Sequence, residues 1–104
     1  GMIVSNEPGY YKKNAYGIRI ESLVLVKKNK KIKSNGSQNF NFETLTLVPF
    51  DKNLIVLDIL DEHEILWINS YHQSILNILG PLSDINTKKW LLHSCSKLEQ
   101  KNNE

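Results

Sequence analysis

Two glutamates in this chain are spaced so that a pair of carboxylates could do metal chemistry. Glu7 opens a Pro8-Gly9 turn, and Glu21 closes the run GIRIE at residues 17–21. Carboxylate oxygens are ordinary ligands of hard and borderline divalent cations, and two of them converging from a turn and an adjacent strand begin such a site. Arg19, the only arginine among 13 basic residues, lies two positions before Glu21. In an extended strand that spacing puts both side chains on one face. There a planar guanidinium can grip a carboxylate in a way lysine cannot. Plainer readings stand beside these. Acidic residues near strand ends are commonly solvated, an Arg–Glu pair can be a structural salt bridge, and Tyr11 can be a packed aromatic.

The remaining reactive residue types point elsewhere. His63, His72 and His93 fall in segments with helical patterning and read as surface or helix-packing residues rather than ligands. Asp51, Asp58, Asp61 and Asp84 read as turn or cap residues. Cys95 lies on an apolar helical stripe and reads as a buried small hydrophobe. A single cysteine excludes an internal disulfide and favours a reducing compartment. No P-loop, dinucleotide fingerprint, Cys-x-x-Cys, His-Glu-x-x-His or Gly-x-Ser-x-Gly pattern occurs. The net charge of +2 gives no basis for nucleic-acid or membrane binding. No apolar run approaches the roughly 20 residues of a membrane span, and the first residues do not read as a signal peptide. The expectation is a cytoplasmic protein without nucleic-acid or membrane partners.

The elements that must position the glutamates can be read from pattern. Residues 3–6 read as a short strand, and Pro8-Gly9 as a turn that leaves Glu7 extended. Residues 18–27 read as one strand. Its alternation puts Arg19, Glu21, Leu23 and Leu25 on one face, and Ile18, Ile20, Ser22, Val24 and Val26 on the other. Both faces are largely apolar, so cover on both sides is expected. Residues 27–39 are polar and lysine-rich and form a hairpin tip with a turn at 34–37, its charges resisting edge pairing. Residues 40–50 read as a second strand ended by Pro49, and residues 51–60 as a connector.

Residues 61–79 are the clearest helix. Asp61 followed by Glu64 makes a capping-box start. Ile65, Ile68, His72, Ile75 or Leu76, and Leu79 recur at helical spacing, and Gly80-Pro81 stops the run. A second helix is expected over 83–98 with Trp90, Leu91, Cys95 and Leu98 as its stripe. The 104 residues fit an α+β domain of two or three antiparallel strands followed by two helices, and the polar residues 99–104 read as a disordered tail.

The order EPGYY (7–11), GIRIE (17–21), LVLV (23–26) resembles the closing part of the active site of the pita-bread metallopeptidases, and within them the Xaa-Pro aminopeptidases. FETLTLVPF (42–50), EILWINSYH (64–72) and KKWL (88–91) resemble the C-terminal extension of the larger members. The resemblance covers about residues 3–98, and several separate motifs agree in order.

It implies residues 1–50 as the last strands of a pita-bread domain and 51–98 as the helical extension. It also implies a site. The family holds two divalent ions, often manganese or zinc, with two aspartates, one histidine and two glutamates. Glu7 matches the first glutamate, a metal ligand and the base that handles the proton of the water. Glu21 matches the second, which bridges both ions, and Tyr11 and Arg19 match positions that orient the ligands. The aspartates and histidine of the family lie upstream of residue 7. The chain is therefore expected to be a C-terminal part that binds no metal and cleaves no peptide on its own. A homodimer, or a pairing with an N-terminal fragment carrying the other ligands, is the expected partner arrangement. An interaction module and a relic of a split gene are the alternatives.

Overall fold

The structure, a computed structural model, describes residues 1–32 and 36–99. The chain divides into two compact units, Gly1–Thr46 and a second that begins at Leu47. All strands belong to the first unit and both helices to the second.

Among the described residues the first unit contains five strands, β1 (Ile3–Asn6), β2 (Gly9–Lys12), β3 (Tyr16–Arg19), β4 (Ser22–Ile32) and β5 (Gln38–Thr44). They form a three-stranded sheet in the order β1-β4-β5 and a two-stranded hairpin of β2 and β3, with all pairs antiparallel. The single strand expected over 18–27 is thus split, with residues 20 and 21 outside the ladders.

The cause is Pro8. Ile20 N–H donates to Pro8 O at 3.1 Å, but proline has no N–H to return the bond, so the ladder lapses there. At the tip of the β2–β3 hairpin Ala15 N–H donates to Lys12 O at 3.1 Å, and Asn14 takes the left-handed conformation at φ 58°. Asparagine tolerates that region better than most residues.

β4 and β5 pair from Val24↔Thr44 to Ile32↔Gln38, with an irregularity between Lys28 and Ile32. The strand expected over 40–50 therefore ends at Thr44, although Leu45 N–H still donates to Leu23 O at 2.8 Å. Of the expected turn at 34–37, Gly36 has a positive φ of 78° and residues 34 and 35 lie outside the described residues, as do residues 100–104 of the expected tail.

The second unit holds α1 (Glu62–Leu79) and α2 (Ile85–Ser94). α1 starts on a complete capping box: Glu64 N–H donates to Asp61 Oδ1 at 2.8 Å, and Asp61 N–H donates to Glu64 Oε2 at 2.9 Å. Gly80 remains right-handed, and Pro81 leads into a 3-10 turn, so the proline rather than a left-handed glycine ends the helix. α2 starts at Asp84, whose Oδ1 accepts from Asn86 N–H and Thr87 N–H at 2.9 and 2.8 Å.

Tyr71, Ile75, Leu91 and Cys95 form the core, with Leu47, Phe50, Leu76 and Leu79 packed against it. The expected stripe holds at Ile65, His72 and Ile75 on α1, and at Leu91, Cys95 and Leu98 beyond it, all buried. Trp90, expected on the same stripe, is instead 55% exposed. Leu91 on α2, with Cys95 and Leu98 in the segment that follows it, fills the core without Trp90.

α2 is shorter than expected because a long-range contact claims its final residues. Asn69 Nδ2 donates to Leu98 O at 3.0 Å, and Leu98 N–H donates to Asn69 Oδ1 at 2.8 Å. Lys52 finishes the helix from outside, its Nζ donating to His93 O at 2.8 Å and to Ser96 Oγ. A cation there complements the negative end of the helix.

Candidate metal centre

The two glutamates occupy the gap between the two ladders. β1 and β4 pair Asn6 with Ser22, and β2 and β3 pair Gly9 with Arg19. The two ladders share one register. Carried through the gap, it sets Glu7 opposite Glu21 and Pro8 opposite Ile20, and the Ile20–Pro8 hydrogen bond lies on that line. Directly opposite residues of an antiparallel pair point to the same side. Glu7, Tyr11, Arg19 and Glu21 therefore share one face, and Tyr10, Tyr16, Ile18 and Ile20 share the other. On that second face Tyr10 and Tyr16 rings lie 6.2 Å apart, and Lys12 Nζ is 6.0 Å from the Tyr16 ring.

Three of the four expected site residues are in direct contact. Arg19 Nε lies 3.6 Å from Glu21 Oε2, with both side chains about half exposed. The Tyr11 hydroxyl lies beside the Arg19 side chain, and this neighbour is the main reason that the arginine pKa is raised above its ordinary value, with Glu21 and Glu7 adding electrostatic support. An arginine beside a carboxylate orients it through one oxygen, leaving the other for a further partner.

Two glycines, not singled out from the sequence, give this network its space. A Cβ on Gly17 would lie 2.8 Å from Tyr11 Cδ1, and one on Gly9 would lie 2.9 Å from the Tyr11 hydroxyl and 3.0 Å from Arg19 Cγ. Their positions in the sequence carry no such signal; the register does, setting Gly17 opposite Tyr11 and Gly9 opposite Arg19.

The donor chemistry of Glu7 and Glu21 suits a divalent cation, because both supply carboxylate oxygen on one face. The donor number is small. Among the described residues no group of three or more His, Cys, Asp or Glu is arranged to hold a metal ion. The histidines lie elsewhere. His63 and His93 are on the helices of the second unit, and His72 is fully buried, with Nε2 accepting from Phe50 N–H at 3.0 Å. Desolvation lowers the His72 pKa, and the nearby Lys52 ammonium lowers it further. Cys95 is buried, and desolvation raises its pKa, with Lys52 opposing. Asp51, Asp61 and Asp84 cap helices or turns. Among the described residues no helix is long and apolar enough to cross a membrane.

Comparison with known proteins assigns the chain to a class. The family described as the C-terminal region of peptidase M24 matches residues 38–98, and the chain belongs to that family. More particularly, the chain corresponds to the C-terminal region of the Xaa-Pro aminopeptidases. It is 42% identical over 101 residues to a probable Xaa-Pro aminopeptidase P of Laccaria bicolor, covering 94% of this chain and 16% of that protein. It is 38% identical over 100 residues to aminopeptidase P2 of Arabidopsis thaliana, covering 94% and 14%. It superposes with a TM-score of 0.76 and 35% identity on the X-prolyl aminopeptidase of Caenorhabditis elegans, described as a cytosolic enzyme with a di-nuclear active site, over 92% of this chain and 16% of that one. The fold is accordingly that of part of a pita-bread metallopeptidase. The chain spans about one sixth of the length of the relatives it matches.

Proposed function

We propose that these residues contribute the closing carboxylates of a two-metal aminopeptidase centre that removes an N-terminal residue preceding proline. The observation that carries this reading is the common register that sets Glu7 opposite Glu21, with Arg19 held on Glu21. Residues 1–50 then close the catalytic domain, and residues 51–98 form its C-terminal extension. Glu7 and Glu21 are the residues that would hold the cations, manganese or zinc being the candidates. When bound, such a pair supplies an activated water and polarises the scissile carbonyl. Glu7 takes and returns a proton at a carboxylate oxygen. Glu21 is oriented by Arg19, and Tyr11 steadies Arg19.

The ligand count bears on activity. Two carboxylates do not fix two ions and a water, so the 104-residue chain is inactive alone, and the complete centre needs ligands from further polypeptide. The test is peptidase assay of the purified chain on Xaa-Pro peptides with added manganese or zinc, alone and mixed with a polypeptide carrying the remaining ligands. No cleavage alone is the expected result, and turnover by the chain by itself refutes it. The working compartment of this reading is the cytoplasm, as for the nematode enzyme.

A second reading, self-association, has its own observation. The β2–β3 hairpin exposes Tyr10, Tyr16, Ile18 and Ile20 at 61%, 53%, 44% and 55% on one face. A two-stranded hairpin is at best marginally stable without cover. A twofold dimer would supply that cover. Light scattering distinguishes the readings: a monomer at high concentration removes self-association.

A further inference from the structure

We propose that Gly17 is a positioning residue for Glu21, acting through Tyr11 and Arg19. The inference rests on reading Glu21 as a metal ligand, and it adds the device that aims that ligand. Gly17 is the cross-strand partner of Tyr11. A Cβ there would approach Tyr11 Cδ1 to 2.8 Å and Cε1 to 3.1 Å, so the ring lies flat across the space that a side chain would fill. An aromatic laid over a cross-strand glycine covers its exposed backbone and is itself fixed in one rotamer.

The direction of the ring sets the next contact. It carries the hydroxyl across to the neighbouring pair on the same face, Gly9 and Arg19. A Cβ on Gly9 would lie 2.9 Å from that hydroxyl and 3.0 Å from Arg19 Cγ. The hydroxyl is thereby set beside the Arg19 side chain, within reach of its guanidinium, and Arg19 Nε stands 3.6 Å from Glu21 Oε2. The path therefore runs from the open space at Gly17 through the ring, the hydroxyl and Arg19 to the carboxylate.

This matters because none of these side chains is held by burial. Arg19 and Glu21 side chains are 55% and 53% exposed, and Tyr11 is 62% exposed. Long side chains in water sample many rotamers, and a ligand that must be pre-aimed needs something to select one. Gly17 has no positive φ, so an alanine there meets no backbone objection. Its effect is confined to the space the ring occupies. At Gly9 the Ile18 carbonyl would also be met, at 3.1 Å, so Gly17 is the cleaner site to probe.

The experiment is NMR on the 104-residue chain without metal, comparing wild type, Gly17→Ala, Tyr11→Phe and the double variant. Two signals are read: the Gly17 Hα shift, displaced upfield by a ring lying on it, and the exchange rate of the Arg19 Nε–H. In wild type the Gly17 Hα is displaced and the Arg19 Nε–H exchanges slowly. Tyr11→Phe keeps the Gly17 displacement but speeds Arg19 exchange by roughly fivefold, the ratio that one ordinary net hydrogen bond represents. Gly17→Ala speeds Arg19 exchange by the same factor while leaving Tyr11, Arg19 and Glu21 in place, and it adds nothing in the Tyr11→Phe background.

Cross-strand contacts between Gly9 and Arg19 report whether the hairpin persists in each variant; if Gly17→Ala abolishes them, the Tyr11→Phe arm decides. An undisplaced Gly17 Hα in wild type overturns the proposal. So does rapid Arg19 exchange in wild type, no change in Tyr11→Phe, or equal effects of Gly17→Ala with and without the Tyr11 hydroxyl. A separate manganese titration keeps the two claims apart. If the NMR pattern holds but manganese broadens neither Glu7 nor Glu21 even when a polypeptide carrying the remaining ligands is mixed in, the metal reading fails while the positioning stands.

Discussion

His72 is the buried group whose replacement gives the most informative result. It is fully buried on α1. Nε2 accepts from Phe50 N–H at 3.0 Å, so the neutral ring must carry its proton on Nδ1, and Nδ1 is buried with no hydrogen-bond partner among the described residues. A buried unpartnered N–H costs about 1–3 kcal/mol. His72→Leu removes that cost, but it leaves Phe50 N–H without its acceptor, a loss of the same kind and size, about 1–3 kcal/mol. The two offset. At about pH 8 the variant should match wild type to within about 1 kcal/mol.

Acid separates them. Protonation must place a second proton on Nε2, which breaks the Phe50 bond and charges a group that desolvation and the Lys52 ammonium already disfavour. The folded-state pKa lies below the ordinary 6.5. Between the two values the unfolded chain binds a proton that the folded chain does not. Stability is therefore full above about pH 6.5 and declines as pH falls toward the folded value. His72→Leu lacks that decline. Urea unfolding followed by circular dichroism at about pH 8, 6.5 and 5.5 measures both effects. His63 and His93 remain in each protein as internal controls. A variant more than about 3 kcal/mol weaker at about pH 8 would refute the cancellation, and equal pH slopes would refute the assignment to His72.

Two further substitutions probe the same unit. Asn69→Ala removes both bonds to the Leu98 backbone and should cost about 1–3 kcal/mol, with faster amide exchange at Leu98. Asn69→Asp keeps the acceptor but turns a carboxylate on the Leu98 carbonyl, so it should be no better than alanine, and wild-type exchange at Leu98 in either variant would count against the clasp. Ile75, with no exposed surface in the core, should cost about 2–5 kcal/mol as alanine and about 0.5–1.5 as valine. Near-equal melting temperatures for the two variants would show that the site collapses around the deletion.

The parts of the structure legible in the sequence were those fixed by neighbours along the chain. The α1 start needed only Asp61 and Glu64, three residues apart, and Pro81 ended it. Arg19 and Glu21 were placed together by strand periodicity alone, and the structure brings them to 3.6 Å. What escaped was set across the fold. The break at residues 20–21 depends on Pro8, whose missing N–H matters only once the register is known. The early end of α2 depends on Asn69 reaching Leu98 from another helix. Trp90 illustrates a different ambiguity: adjacent apolar residues 90 and 91 cannot both face one core, and packing chose Leu91. Gly9 read only as part of a turn and Gly17 carried no reading of its own until their cross-strand partners were known.

The register common to both ladders also governs which changes in length this region can absorb. Residues 13–15, beyond the last pair Lys12↔Tyr16, lie outside the counting, so the hairpin tip can grow or shrink without touching the glutamates. A residue added to one strand alone, between that tip and Glu7 or between that tip and Glu21, shifts one carboxylate against the other and turns it to the opposite face. Matched insertions in both strands restore the facing pair. The tip can therefore vary in length on its own, while the strand segments on either side of it must lengthen or shorten together to keep the glutamates facing.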